Sequence, residues 1–167
     1  MAPSFVLNLN DLEVSYIQLQ QRAHPDRQIG KSDAERIEAI NASMAANDAY
    51  ETLKNPLSRA EHLLALQGII VNDDNETHKP SQALLMETLE MRESLEDAKG
   101  DEKALETQMR DLKEAMQQCT DDLEEAFDAG DYEHAAQRTI KLQFLGKTLE
   151  EVHAYIYHIK ANKGEVA

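Results

Sequence analysis

What the chain lacks narrows it first. It has no tryptophan, 4 prolines and 6 glycines in 167 residues, too few turn formers for the many short connections of an all-β fold. Its single cysteine, Cys119, excludes an internal disulfide and fits a reducing compartment. No apolar run reaches the length of a membrane-spanning helix, and residues 1–11 lack the basic start and apolar stretch of a secretory signal. Positive charge is scarce too: 17 Lys and Arg stand against 32 Asp and Glu, a net charge of −15. A nucleic-acid backbone or an anionic membrane would repel most of such a molecule, so basic or apolar patches are the expected partners. The expected location is the cytoplasm, with the mitochondrial matrix, after removal of a leader, as the alternative.

What is present favours helix. Ala, Leu, Glu, Gln and Met abound, and 41% hydrophobic residues suffice to bury a core. A first helix is expected from an N-cap at Asn10, with Glu13 three residues on and Leu12, Tyr16, Leu19 and Ala23 at helical spacing, before Pro25 stops it. Ser32 and Glu35 form a capping-box pattern that opens a second helix through Ile37, Ile40, Met44, Ala49 and Leu53. Asn55 and Pro56 read as N-cap and first residue of a third, running to Gly68. The polar stretch from Asn72 to Asn75, followed by Pro80, reads as a connection between domains. Three longer helices follow over about residues 81–98, 102–129 and 131–162, separated by Gly100 and Gly130. Leu105, Met109, Leu112, Met116, Cys119 and Leu123 alternate steps of four and three, as do Leu142, Leu145, Leu149, Val152, Ile156 and Ile159. Such seams need facing helices, and short connections make an antiparallel three-helix bundle the economical solution.

Two features exceed what packing needs. Between residues 81 and 98, Leu84, Met91, Leu95 and Ala98 share one stripe at about 100° per residue, which can face a core. Leu85, Met86 and Leu89 fall on the other side among Glu90, Glu93 and Asp97, an acid-rimmed apolar patch that either docks a partner or packs on the first domain. Phe144, about 100° off its helix seam, can extend it. The second feature is His24, Pro25 and Asp26, just after Arg22, in the loop between two amphipathic helices. It is either a helix stop with turn formers or a rigid recognition tip.

His24, Pro25 and Asp26 resemble the hallmark of the J-domain, which stimulates ATP hydrolysis by DnaK-type chaperones. Asn47 to Leu53, then Pro56, Leu57, Arg59, Ala60, Glu61, Leu63 and Leu64, resemble the closing helices of one branch, the HscB/Jac1 family of iron–sulfur cluster co-chaperones. The segment Leu84–Leu95 is similar to that family's scaffold-binding helix, so the likeness covers nearly the whole chain in order. The resemblance implies an all-α protein: a J-domain over residues 1–70, a linker over 71–80 and a three-helix bundle over 81–167. It implies no catalysis and no cofactor. The J-domain, through Arg22, His24, Pro25 and Asp26, would engage an HscA chaperone and stimulate its ATPase, while Leu85, Met86, Leu89, Glu90, Glu93, Asp97 and Phe144 would hold the IscU scaffold.

The chain departs from the family in three ways. Members usually carry an opening helix ahead of the segment matching Phe5 to Asn8, and its loss would uncover apolar surface; Ala23 stands where an aromatic commonly precedes the histidine; and the cysteine-rich zinc-binding extension of some animal relatives is absent, which points to the bacterial form. Rival readings are a generic J-domain co-chaperone for another client, and a metal enzyme drawing on six histidines. Spacing argues against the metal enzyme: His153 and His158 stand five apart, no Cys pair exists and no His-Glu-x-x-His run appears.

Overall fold

The structure, a computed structural model, describes residues 3–24, 27, 29–71 and 78–164. Regular structure among these residues is helical: α1 (Leu9–Ala23), α2 (Asp33–Lys54), α3 (Pro56–Leu66), α4 (Gln82–Ala98), α5 (Glu102–Ala129) and α6 (Tyr132–Lys163). The chain divides into two compact units, Met1–Leu63 and Leu64–Ala167.

Local chemistry sets the helix ends. The Ser32 hydroxyl accepts from the Glu35 amide while the Glu35 carboxylate accepts from the Ser32 amide at 2.9 Å, so the capping box forms as expected. Asn55 Oδ1 accepts from the amides of Leu57 and Ser58 at 2.8 and 3.2 Å, with Pro56 opening α3. The cap of α1 is Asn8 rather than Asn10: Asn8 Oδ1 accepts from the amides of Asn10 and Asp11 at 3.0 and 3.4 Å. Two capping-competent asparagines lie close together, and the earlier one gives the longer helix. At the other ends Gly130 takes the left-handed conformation (φ 71°) that closes α5, and its amide donates to the carbonyls of Ala126 and Phe127.

In the first unit α1 and α2 run antiparallel, since Tyr16 meets Asn47 and Gln20 meets Ser43. No residue of α1 is buried. The contact is a polar zipper: Asn47 Oδ1 accepts from the Tyr16 hydroxyl at 2.9 Å and from Gln20 Nε2 at 2.6 Å, and the Ser43 hydroxyl donates to Gln20 Oε1 at 2.7 Å. The Tyr16 and Tyr50 rings stack with centroids 4.3 Å apart. The buried part of this unit is small, comprising Phe5, Ala46, Arg59, Ala60 and Leu63. Within it the Arg59 guanidinium lies 4.7 Å from the Phe5 ring centre and donates to the Leu53 carbonyl at 2.6 Å.

The second unit is an up-down-up bundle. Cys119 meets Arg138 and Glu102 meets Lys163, so α5 and α6 are antiparallel; Glu87 meets Lys141 and Lys99 meets Tyr155, so α4 and α6 are parallel. Leu105, Leu112, Cys119 and Leu123 are buried from the first expected seam, and Leu142, Leu145 and Val152 from the second. Ala135, Ala136, Thr139 and Ile140 are buried as well, on more of the α6 surface than its seam implies. The connector explains part of this: Gln143 Nε2 donates to the Val71 carbonyl at 3.2 Å, and Gln137 holds the Lys79 carbonyl and the Ser81 amide, both at 2.9 Å. Both ends of the segment entering the bundle are thus clipped onto α6.

Candidate functional site

Two surfaces carry the candidate residues. On the first unit, α1 delivers Arg22 and His24 to its C-terminal end, both exposed. His24 leaves helical geometry (φ −56°, ψ 137°), and its carbonyl accepts from the Arg27 amide at 2.9 Å. Pro25 and Asp26 lie outside the described residues. The capping box starts α2 immediately after this turn, so rigid helix ends bound the tip on both sides. Its charge is unlike the rest of the chain: residues 22–36 hold Arg22, Arg27, Lys31 and Arg36 against Asp26, Asp33 and Glu35. Arg27 and Lys31 escaped the motif-based reading, although a plain local charge count signals them.

Along one side of the same hairpin lie Val14, Ile17, Ile37, Ile40 and Met44, which the helical count places on a common face. Their exposures run from 44% for Ile17 to 59% for Ile37 and Met44, so most of the apolar stripe expected for α2 faces solvent. Only Ala46 of α2 is buried.

On the second unit, α4 splits as its wheel implies except at Met91, which belongs to the expected core stripe but is only partly buried. Leu84, Leu95 and Ala98 are buried, whereas Leu85, Met86 and Leu89 are 50, 54 and 51% exposed, and Glu90, Glu93 and Asp97 are exposed with them. The Glu87–Lys141 ion pair sets an offset of 54 between the parallel helices, which puts partly buried Phe144 level with Glu90. Phe144 of α6 thus stands at the height of the α4 patch. Past its end a depression of about 540 Å³ is lined by Arg92, Glu93, Leu95, Glu96, Asp97 and Glu151. Glu151 escaped the sequence reading because only the packing of α6 on α4 brings it there. Glu96 binds Lys99, whose ammonium also lies 4.9 Å from the Tyr155 ring centre, and these partners raise the Lys99 pKa, the Glu96 hydrogen bond most.

Cys119 sits inside the bundle with its thiol 3.1 Å from the Arg138 carbonyl, and burial pushes its pKa up to about 11, which keeps it protonated and inert. Among the described residues no group of three His, Cys, Asp or Glu side chains could hold a metal ion, and no helix is long and apolar enough to cross a membrane. What the arrangement offers is a helix-bounded turn with local positive charge in its sequence and an acid-rimmed apolar face.

Residues 80–153 match a family model described as the HSCB C-terminal oligomerisation domain. The chain is 37% identical over 156 residues to the co-chaperone protein HscB of Proteus mirabilis, covering 91% of this chain and 89% of that one. Among solved structures it superposes on the chaperone HscB from Vibrio cholerae with a TM-score of 0.80 at 33% identity, covering 95% of this chain and 94% of that one. On the human co-chaperone HscB the TM-score is 0.82 at 29% identity, covering 92% and 77% of the two chains.

Proposed function

The chain belongs to the HscB family of co-chaperones, with an N-terminal J-domain and a C-terminal helical bundle, and on that premise we propose that it is a non-catalytic adaptor in iron–sulfur cluster assembly. It delivers an IscU scaffold to an HscA, DnaK-type chaperone in the bacterial cytoplasm and stimulates that chaperone's ATPase. Residues 1–70 act as the chaperone-facing module, 71–80 as the linker and 81–167 as the scaffold-holding module.

The observation that carries this reading is the state of α4. Three large apolar side chains on one helix face stand half exposed beside exposed carboxylates, while the opposite face of the same helix is core. A purely structural helix has no need of such a face, and exposed apolar anchors with a charged rim are the anatomy of a docking surface. Leu85, Met86, Leu89 and Phe144 supply the apolar contact; Glu90, Glu93 and Asp97 select a basic edge on the scaffold. At the other module Arg22, His24, Pro25 and Asp26 contact the chaperone, with Asp26 pairing to a cation there.

An ATPase assay with both partners tests the proposal. The chain is expected to accelerate HscA turnover, and more so with IscU present. Asp26→Asn should abolish stimulation and spare scaffold binding. A Leu85, Met86 and Leu89 triple alanine variant should do the reverse, weakening scaffold binding by about 100-fold or more, because central anchors each contribute more than about 1 kcal/mol. Stimulation that IscU leaves unchanged would support the generic J-protein alternative, and unaltered calorimetric binding by the triple variant would remove the patch from the assignment.

A further inference from the structure

The face of α4 turned away from Leu85, Met86 and Leu89 borders a second concavity. It is a cleft of about 280 Å³ between α4 and α5, lined by Glu87, Met91 and Ser94 from α4, Gln108, Asp111, Leu112 and Ala115 from α5, and Leu145 and Thr148 from α6. The floor is apolar, since Leu112 and Leu145 are buried, and it opens to solvent between Ser94 and Asp111, both exposed. Met91 forms a flexible wall that can adapt to an occupant. Ala115 leaves the cleft its width, because any larger side chain there would fill it.

Carboxylates set the charge of its polar lining. Glu87 and Asp111 bring carboxylates, and Lys141 engages Glu87 through Oε1 at 2.6 Å. Gln108 donates through Nε2 to the Ser94 hydroxyl at 2.6 Å, and its Oε1 is buried with no hydrogen-bond partner among the described residues. The Thr148 hydroxyl is spent on the Phe144 carbonyl at 2.9 Å. An anion would find two carboxylates here, one of them paired with Lys141, against only the Ser94 hydroxyl hydrogen and the second Gln108 amide hydrogen as donors. A ligand with an apolar body and a cationic, hydrogen-donating end fits both halves of the cleft, and the net charge of −15 draws basic segments to the surface around it.

We propose that this α4–α5 cleft is a further docking site, which takes a large apolar side chain and the adjoining guanidinium or ammonium group from a basic segment of a protein partner. It is separate from the acid-rimmed α4 patch and from the hairpin tip, and it does not depend on either of them having the partner assigned above. One bundle can then hold a second protein while its outward α4 face is occupied.

The test uses the full chain, isotope-labelled for NMR, titrated with acetyl-leucyl-arginine amide. Controls are the uncharged citrulline analogue and acetyl-glycyl-arginine amide, which lacks the anchor. Saturable shifts are expected at Met91, Gln108, Leu112, Ala115 and Leu145, with both controls binding about tenfold more weakly or worse, as loss of one good contact implies. Ala115→Leu, which fills the cleft, should abolish the shifts while holding or raising the melting temperature. Asp111→Asn, at an exposed position, should reduce affinity to that of the citrulline peptide and covers the case in which the filled variant misfolds. Absence of saturable shifts, equal binding of the citrulline analogue, or shifts centred on Leu85, Met86 and Leu89 instead would each overturn the proposal.

Discussion

At the scale of single residues, the helix-capping and buried groups make the sharpest predictions. Glu35 is held below the usual carboxylate range chiefly by the Ser32 side-chain hydrogen bond, with the Ser32 backbone bond and the Lys31 charge adding to it. A carboxyl whose folded pKa is depressed stabilises the fold above its unfolded pKa, and loses that contribution as pH falls through the lower folded value. The stability gap between the parent and Glu35→Gln should therefore be full above about pH 4.3 and close below it, which thermal unfolding of both across that range would measure. Glu102, depressed mainly by its hydrogen bond to Lys163, should titrate the same way. Cys119 has the opposite displacement, to about 11, so at neutral pH its thiolate fraction is roughly 300-fold below that of a free cysteine near 8.5. Iodoacetamide should label it slowly in the native chain and quickly after denaturation; fast native labelling would mean that the α5–α6 contact opens at little cost.

Among the elements, the α1–α2 hairpin differs most from its pattern. Apolar spacing marks a stripe through Leu12, Tyr16, Leu19 and Ala23 on α1 and one through Ile37, Ile40, Met44, Ala49 and Leu53 on α2. The pairing runs instead through Tyr16, Gln20, Ser43, Asn47 and Tyr50. Asn47→Ala removes the acceptor shared by two α1 donors, and its expected cost is about 1–2 kcal/mol, seen as faster hydrogen exchange of α1 amides. Ile40→Ser, on the exposed face, should shift stability by less than about 0.5 kcal/mol. A large loss in that variant would show that the face is covered in solution. The capping box and the Asn55–Pro56 start were legible because each is a contact within four residues. The start of α1 was misplaced by two positions because Asn8 and Asn10 both satisfy the cap pattern, and only the backbone path selects between them.

For the whole molecule, charge is the governing quantity. The excess of carboxylates is spread over the chain but is locally offset at residues 22–36, so the two proposed docking modules present different fields to their partners. Binding of a basic partner at the α4 face should be steered by that field. Raising ionic strength from about 0.01 to 0.15 M shortens the screening length from about 30 to about 8 Å. The association rate there is expected to fall by about tenfold or more, with dissociation little changed, which stopped-flow mixing would resolve. A rate indifferent to salt would assign recognition to the apolar anchors alone.

The sequence by itself determined that the chain is all-helical, where most helices begin, which residues of α4 split between core and surface, and to which family the whole is similar. These follow from interactions within one or two helical turns, where residue spacing maps directly onto geometry. The tertiary structure decided the polar zipper of the hairpin, the glutamine clips from α6 to the connector, the arrival of Glu151 beside Asp97, and the cleft behind Met91. Each brings together residues of different helices, or of a helix and the connector, that lie more than a dozen positions apart in the chain. Periodicity on a single helix states which face is apolar, but what meets that face, and how closely, depends on the offset and direction of the neighbouring helix.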